Sequence, residues 1–410
     1  MRHYFPIVLV FLLFGGAFLF LLLNRNEPHK TTVPQSPELT LPLPSESSLS
    51  SLAQAPDWSE LESFQGTVSK TQFEQDLTGI FALPQSWQST ITIEEGAAWV
   101  RHSSASDSGE SKITFAKEDA PIEPLPPLDA MHIAIDPGHI GGEFAKLEQR
   151  SFQPFPHDPT KIPVQEGDLT LATAQHLKPL LEKLGAKVTL VRKTAEPVTN
   201  QRTEDFLPDF PDRAMAEKIF YRTAEIRARA DLINNVIKPD LVLCLHYNAD
   251  AWSDPENPWA SRNHFHLLLN GAYLPNEVAL HDQRLEMLRH LYRQSTRRAL
   301  PLAQTISDVF LRETNLSSYQ YRSSAPAIKV DATRPIFARN LLANRIYQAP
   351  TIFLEPYVMN HRETHQRVQL GDYDGFKEIN GTPRRSLVRE YAHTLMLAFA
   401  EHYSLQVTSP

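Results

Sequence analysis

The sequence predicts an α/β fold: a central, mostly parallel twisted sheet flanked by helices, preceded by a transmembrane anchor and a small α+β module. Three observations carry this expectation. From Ala130 on, short apolar runs alternate with longer stretches of helical periodicity, the pattern of strands joined by crossover helices. Before that, residues 58–117 mix one helical stretch with short strand-like runs. Ahead of both, residues 5–23 are almost wholly apolar and uncharged. The 410 residues exceed one typical core, so two domains or one elaborated domain is expected.

In chain order, residues 5–23 come first. A bilayer-spanning helix needs roughly 20 apolar residues. The run ends in Leu21-Leu22-Leu23-Asn24-Arg25 with no small-x-small cleavage site, so an uncleaved single-pass anchor is expected, with a cleaved signal and secretion as the alternative. Arg2 on one side and Arg25, Lys30 and Glu27 on the other leave the orientation open on charge alone. Residues 27–56 are rich in Pro, Ser and Thr and read as a disordered tether. In 58–117, a helix is expected over 70–81 (Phe73, Leu77, Ile80), strands over 90–93, 98–100 and 112–116, and a polar loop over 103–111. Such a module is small enough to need a neighbour. The proline-dense stretch 120–127 marks a boundary, and a catalytic domain is expected over 130–405.

Within that domain the expected elements are a buried strand at 132–136, a helix at 169–184 ended by Gly185, and a strand at 187–191. A helix at 221–236 and strands at 241–245 and 264–269 follow. Residues 285–314 are helical material that Pro301 should break or kink. A strand at 351–354 and a closing helix at 389–403 complete the pattern.

Net charge is −8 and the pI about 6.1, with no basic face, so nucleic acid is not an expected partner. The single cysteine, Cys244, cannot form an intrachain disulfide and sits in an apolar run, the setting of a small buried residue. A GxSxG elbow, a CxxC pair and a glycine-rich phosphate cradle are all missing from the sequence.

His139, Glu166, His246 and Glu355 fall at strand ends or just before a helix. Ligand sites in open α/β sheets lie beyond the carboxyl ends of strands. Asp136-Pro137-Gly138-His139 turns sharply, with proline fixing φ and glycine permitting a positive φ. Each residue has a plainer reading: a surface histidine in a turn, a carboxylate answering a helix dipole, a hydrogen-bonded core rim, a solvated strand end. Together, two imidazoles and two carboxylates at one sheet edge could make a three-ligand zinc site with a general base.

IAIDPGHIGG, a glutamate before a helix, LGAKVTLVR, AEIRARADLIN, LCLHYNAD and APTIFLEPYVMN occur in one order. This series resembles the zinc-dependent N-acetylmuramoyl-L-alanine amidases of the amidase-3 type, over about residues 131–403. The resemblance implies that His139, Glu166 and His246 bind Zn²⁺ and that Glu355 is the catalytic glutamate. It also implies supporting roles for Asp136, Arg192, Arg227 and Asn248, orienting the ligands. The implied substrate is peptidoglycan, which would place the catalytic domain in the periplasm or at the cell surface. Another zinc hydrolase of the envelope, or a non-catalytic wall-binding protein, are the alternatives. The chain departs from the family pattern at Ile140, in longer segments at 144–163, 198–220 and 251–263, and at His264 and His266, which share a strand face.

Overall fold

The computed structural model describes residues 55–102, 109–251, 256–322 and 325–406. The expected anchor, and the expected tether up to residue 54, lie outside them. Among the described residues no helix is long and apolar enough to cross a membrane.

The chain opens with a 3-10 turn, Trp58–Phe64, started by the Asp57 carboxylate accepting from Ser59 N. Helix α1 (Lys70–Asp76) follows, with Ser69 as N-cap, and runs on as a π-turn to Phe81. Strands β1 (Ile91–Ile93), β2 (Ala97–Arg101) and β3 (Glu110–Thr114) form an antiparallel sheet in the order 1-2-3. Next come β4 (His132–Pro137), the hairpin β5 (Ser151–Phe152) and β6 (Val164–Gln165), α2 (Glu166–Lys183) and β7 (Lys187–Leu190). Then α3 (Thr203–Phe206), α4 (Arg213–Lys218) and α5 (Glu225–Asp231) lead to β8 (Leu241–Leu245) and β9 (His264–Leu269). Helices α6 (Pro275–Val278), α7 (His281–Tyr292) and α8 (Ser295–Glu313) precede β10 (Ser317–Ser318), β11 (Ile328–Lys329) and β12 (Ile336–Ala338). The chain closes with α9 (Leu342–Ile346), β13 (Thr351–Glu355), α10 (Arg362–Gln369), β14 (Lys377–Ile379), β15 (Thr382–Arg384) and α11 (Leu387–His402).

The main sheet has the order β11-β12-β9-β13-β8-β4-β7, with β10 beside β9. Pairs β7–β4, β4–β8, β8–β13 and β9–β12 are parallel; β9–β13 and β11–β12 are antiparallel. Most pairings are parallel, as expected, and the two antiparallel ones make the sheet mixed. Both faces are covered, which is why the central strands read as unbroken apolar runs. Ile133, Ile135, Leu243, Leu245 and Leu354 pack under α2, α8 and α11; Ala134, Val242, Cys244 and Phe353 face Ile233 and Tyr347 on the other side. Cys244 is free and buried.

Two local expectations change. Pro301 lies inside α8, which runs through it; the break falls earlier, at Gln294, whose φ of 54° is left-handed. The buried face of Ala299, Leu302, Ala303 and Ile306 holds the helix across the proline. The helix expected over 221–236 is longer, joining α4 and α5 through π-turns at Ile219–Ala224 and Leu232–Ile237. The 58–117 segment shares one buried cluster with the α6–α7 region: Phe64, Phe73, Leu77 and Phe81 pack with Tyr273, Leu288, Leu291 and Tyr292.

Candidate metal centre

Three adjacent parallel strands deliver their ends to one edge. Gly138 N donates to Leu245 O at 2.8 Å, and His246 N to Leu354 O at 3.0 Å. His139 follows β4, His246 follows β8, and Glu355 ends β13. Glu166 is the first residue of α2, at the positive end of the helix dipole, where a carboxylate is favoured. Glycine makes the approach possible. A Cβ on Gly138 would lie 2.3 Å from the His246 ring, and one on Gly167 would lie 2.2 Å from Gly141 N. His139 itself is left-handed, at φ 58°, a conformation that costs energy in a non-glycine residue and redirects its ring.

His139 Nε2 is 3.2 Å from Glu166 Oε2, and His246 Nδ1 is 2.9 Å from Glu166 Oε1. The two imidazoles meet edge to face, with centroids 5.1 Å apart. One ligand-type atom from each of His139, Glu166 and His246 lies within 4.8 Å of the others. Two imidazoles and a carboxylate fit zinc, which takes such donors at about 2.0–2.2 Å and keeps a fourth position open in catalytic sites.

A buried polar framework holds the three side chains. Glu148 Oε1 is 3.4 Å from His139 Nδ1, and its carboxylate accepts from Ile140 N at 2.9 Å and Gly141 N at 3.3 Å. Arg150 Nε is 3.2 Å from Glu166 Oε2, and Tyr247 N donates to Glu166 Oε1 at 3.2 Å. The His246 ring stacks on Phe353 at 4.1 Å. Beneath, Arg229 donates to Asp136 (2.9 Å), Glu225 (2.7 Å), Pro137 O (2.7 Å) and His139 O (2.8 Å). Tyr347 donates to the other Asp136 oxygen at 2.7 Å. Arg192 holds Gly167 O at 2.8 Å.

Electrostatics separate the carboxylates. Burial opposes the charge on Glu166, but His139 and His246 outweigh it and hold Glu166 well below the usual range. Burial also pulls His139 down, yet Glu166 and Glu148 raise it to about 9. Glu355 is pushed well above the usual range by burial and by the Glu166 charge, against the pull of His139, Arg150 and Arg339.

Of the other residues singled out in the sequence, Asp136 and Arg192 lie in this framework. Asn248 lies beside it, its amide 3.4 Å from His264 Nδ1 and His266 Nδ1. Arg227 does not reach it; its Nε is buried without a hydrogen-bond partner. Arg229 occupies the place expected of Arg227. The signal was present: Glu225 and Arg229 stand four residues apart on one helix, the spacing of an ion pair. Glu148 and Arg150 fall in a segment that reads as a spacer, where no periodicity marks them. His264 and His266 pack with Tyr319 at centroid distances of 4.6 Å, and His266 pairs across the sheet with Glu355.

A mixed α/β fold with a histidine–glutamate–histidine group and a further carboxylate at one sheet edge has the make-up of a metal-assisted hydrolase. Residues 133–376 match the family model described as N-acetylmuramoyl-L-alanine amidase, Amidase_3. The chain belongs to that family and is an amidase of its kind. Among solved structures, the N-acetylmuramoyl-L-alanine amidase AmiC2 of Nostoc punctiforme is 13% identical, with a TM-score of 0.37, over 67% of this chain and 97% of that one. The CwlD amidase of Clostridioides difficile, solved in complex with the GerS lipoprotein, is 12% identical, with a TM-score of 0.40, over 67% and 98%. The apo form of Ami1 from Mycobacterium abscessus is 14% identical, with a TM-score of 0.38, over 67% and 98%. No curated protein sequence matches the chain.

Proposed function

We propose that this chain is a zinc-dependent amidase, tethered to the cytoplasmic membrane, that hydrolyses the amide between N-acetylmuramic acid and L-alanine in peptidoglycan. The observation that carries this reading is the His139, Glu166 and His246 group, with donor atoms within 4.8 Å, beside the raised carboxyl of Glu355. His139, Glu166 and His246 would hold the zinc. When bound, the ion would supply a water of lowered pKa and polarise the carbonyl. Glu355 takes the proton of the attacking water and passes it to the leaving amine of L-alanine. Glu148 and Arg150 position His139 and Glu166, and Arg229 fixes the backbone carbonyls of Pro137 and His139. Since the substrate lies outside the cytoplasm, residues 5–23 would be the anchor, with the amino terminus inside and the catalytic domain in the periplasm or at the cell surface. Digestion of purified peptidoglycan, followed by mass spectrometry, tests the reading. Stem peptides with a free L-alanine amino terminus are expected. New amino termini only elsewhere in the stem would assign the chain to another envelope amide, and intact peptidoglycan with zinc bound would make it a wall-binding protein.

A further inference from the structure

Two of the segments that lengthen this chain meet beside the metal centre. The β5–β6 hairpin springs from it directly: Glu166 N donates to Arg150 O at 3.2 Å, and Phe152 pairs with Val164. Beyond Phe152 the hairpin loop presents Phe155, 43% exposed. From the other segment, Trp259 meets Phe152 edge to face at 5.6 Å and Phe155 at 6.1 Å. Trp259 is partly exposed, and the exposed Arg362 places its guanidinium 4.6 Å from the indole centre. His365 backs the indole at 5.2 Å. The backbone around Trp259 is fixed: Asn360 donates through its amide to Pro258 O at 2.8 Å, and Asn360 O accepts from Ala260 N at 2.9 Å. One residue earlier, Met359 N donates to Asn248 O at 2.8 Å, two residues past His246. Both halves of this ledge are thus rooted in the segments that carry His246 and Glu166.

We propose that the ledge of Phe155, Trp259 and Arg362 binds sugar rings of a glycan strand, an inference that rests on the peptidoglycan reading above. A pyranose presents a face of C–H bonds, which the negative face of an aromatic ring attracts. The Arg362 guanidinium, which lies over the indole, offers donors to N-acetyl carbonyls and lactyl oxygens. The charges near the ledge, Lys161 and Arg362 against Asp158 and Glu363, balance, so the patch lacks the basic excess that holds an anionic lipid surface.

The test uses the full chain in non-ionic detergent, with glycan strands stripped of stem peptides as the probe. Phe155→Ala and Trp259→Ala should each weaken binding about five- to tenfold, with zinc content unchanged. Phe155 lies in the hairpin loop outside the buried cores and is 43% exposed, so its removal should leave the fold intact, which thermal melting of the variant checks. On intact peptidoglycan the variants should raise KM and leave kcat in place, and the rise should shrink as the glycan is shortened towards one sugar. Stripped strands contain no scissile amide, so this arm decides the proposal even if the chain cuts no peptidoglycan. Wild-type affinity for the strands in Phe155→Ala, or a loss confined to binding of anionic phospholipid vesicles, would overturn it.

Discussion

Glu355 and Glu166 are carboxylates in one site driven in opposite directions, one kept protonatable and one kept ionised. On the proposed function, that contrast would assign Glu355 to chemistry and Glu166 to metal binding. Glu355→Gln should cut turnover by about 10²–10⁴-fold, the usual cost of losing a general base, with zinc retained in metal analysis. Glu148→Gln removes the negative charge facing His139 Nδ1 and should weaken zinc roughly 10–100-fold, read by chelator competition. Arg229 is 1% exposed and bonded to Asp136 and Glu225. Arg229→Ala leaves both buried carboxylates without the positive charge that balances them and should cost about 3–5 kcal/mol in denaturant unfolding, with Arg227→Ala costing much less. The four residues of the centre were legible because each stands beside a strongly patterned element. Glu148 was not, because a buried carboxylate in an irregular segment is defined only by the backbone amides it meets after folding.

Elements set the geometry of these residues, and one of the close approaches they require is at the turn after β4. Gly138→Ala would drive a methyl into the His246 ring and should lower both zinc occupancy and thermal stability, since that ring is held in place by its stacking on Phe353. A variant with wild-type zinc content would show that the turn shifts freely. Asp372 ties α11 to α2 through Arg389, Ser386 and His176. Burial opposes its charge, but these three partners outweigh it and hold its carboxyl below the usual range. A depressed carboxyl contributes stability above its unfolded value of about 3.9 and loses it as pH falls further. Melting temperature should therefore drop below about pH 4 in the wild type, and more shallowly in Asp372→Asn, which starts lower at neutral pH. Helix and strand positions were largely legible in the sequence because burial imposes periods of 3.6 and 2. Strand direction was not: β9 runs against β13 yet carries the same apolar pattern as its parallel neighbours.

Across the whole molecule, the 58–117 segment is fastened to the α6–α7 region by a common core. Phe64 stacks on Tyr292 at 5.3 Å, and Glu60 pairs with the mostly buried Arg289 at 2.8 Å. A chain beginning near Trp58 should be soluble and bind zinc. One beginning at Ala130 would bare Tyr273, Leu288, Leu291 and Tyr292 and should aggregate or melt far lower, which light scattering during a thermal ramp would read. The full chain should sediment with membranes and resist salt extraction, because ions do not screen the burial of an apolar helix; a mature amino terminus after Leu23 would remove that expectation. The shared core was hidden from the sequence, since a proline-rich boundary at 120–127 says nothing about what folds back across it. The strand ends at the centre hold one last consequence. His139, Glu166, His246 and Glu355 come from four distant stretches of chain, and three of them converge on a volume the size of one ion. An ion lodged there would act as a removable cross-link, lacing the middle of the sheet to its first long helix. Unfolding must then cut that lace, so free metal enters the melting equilibrium as a mass-action variable, and stripping it with a chelator should lower the melting point even where no substrate is near.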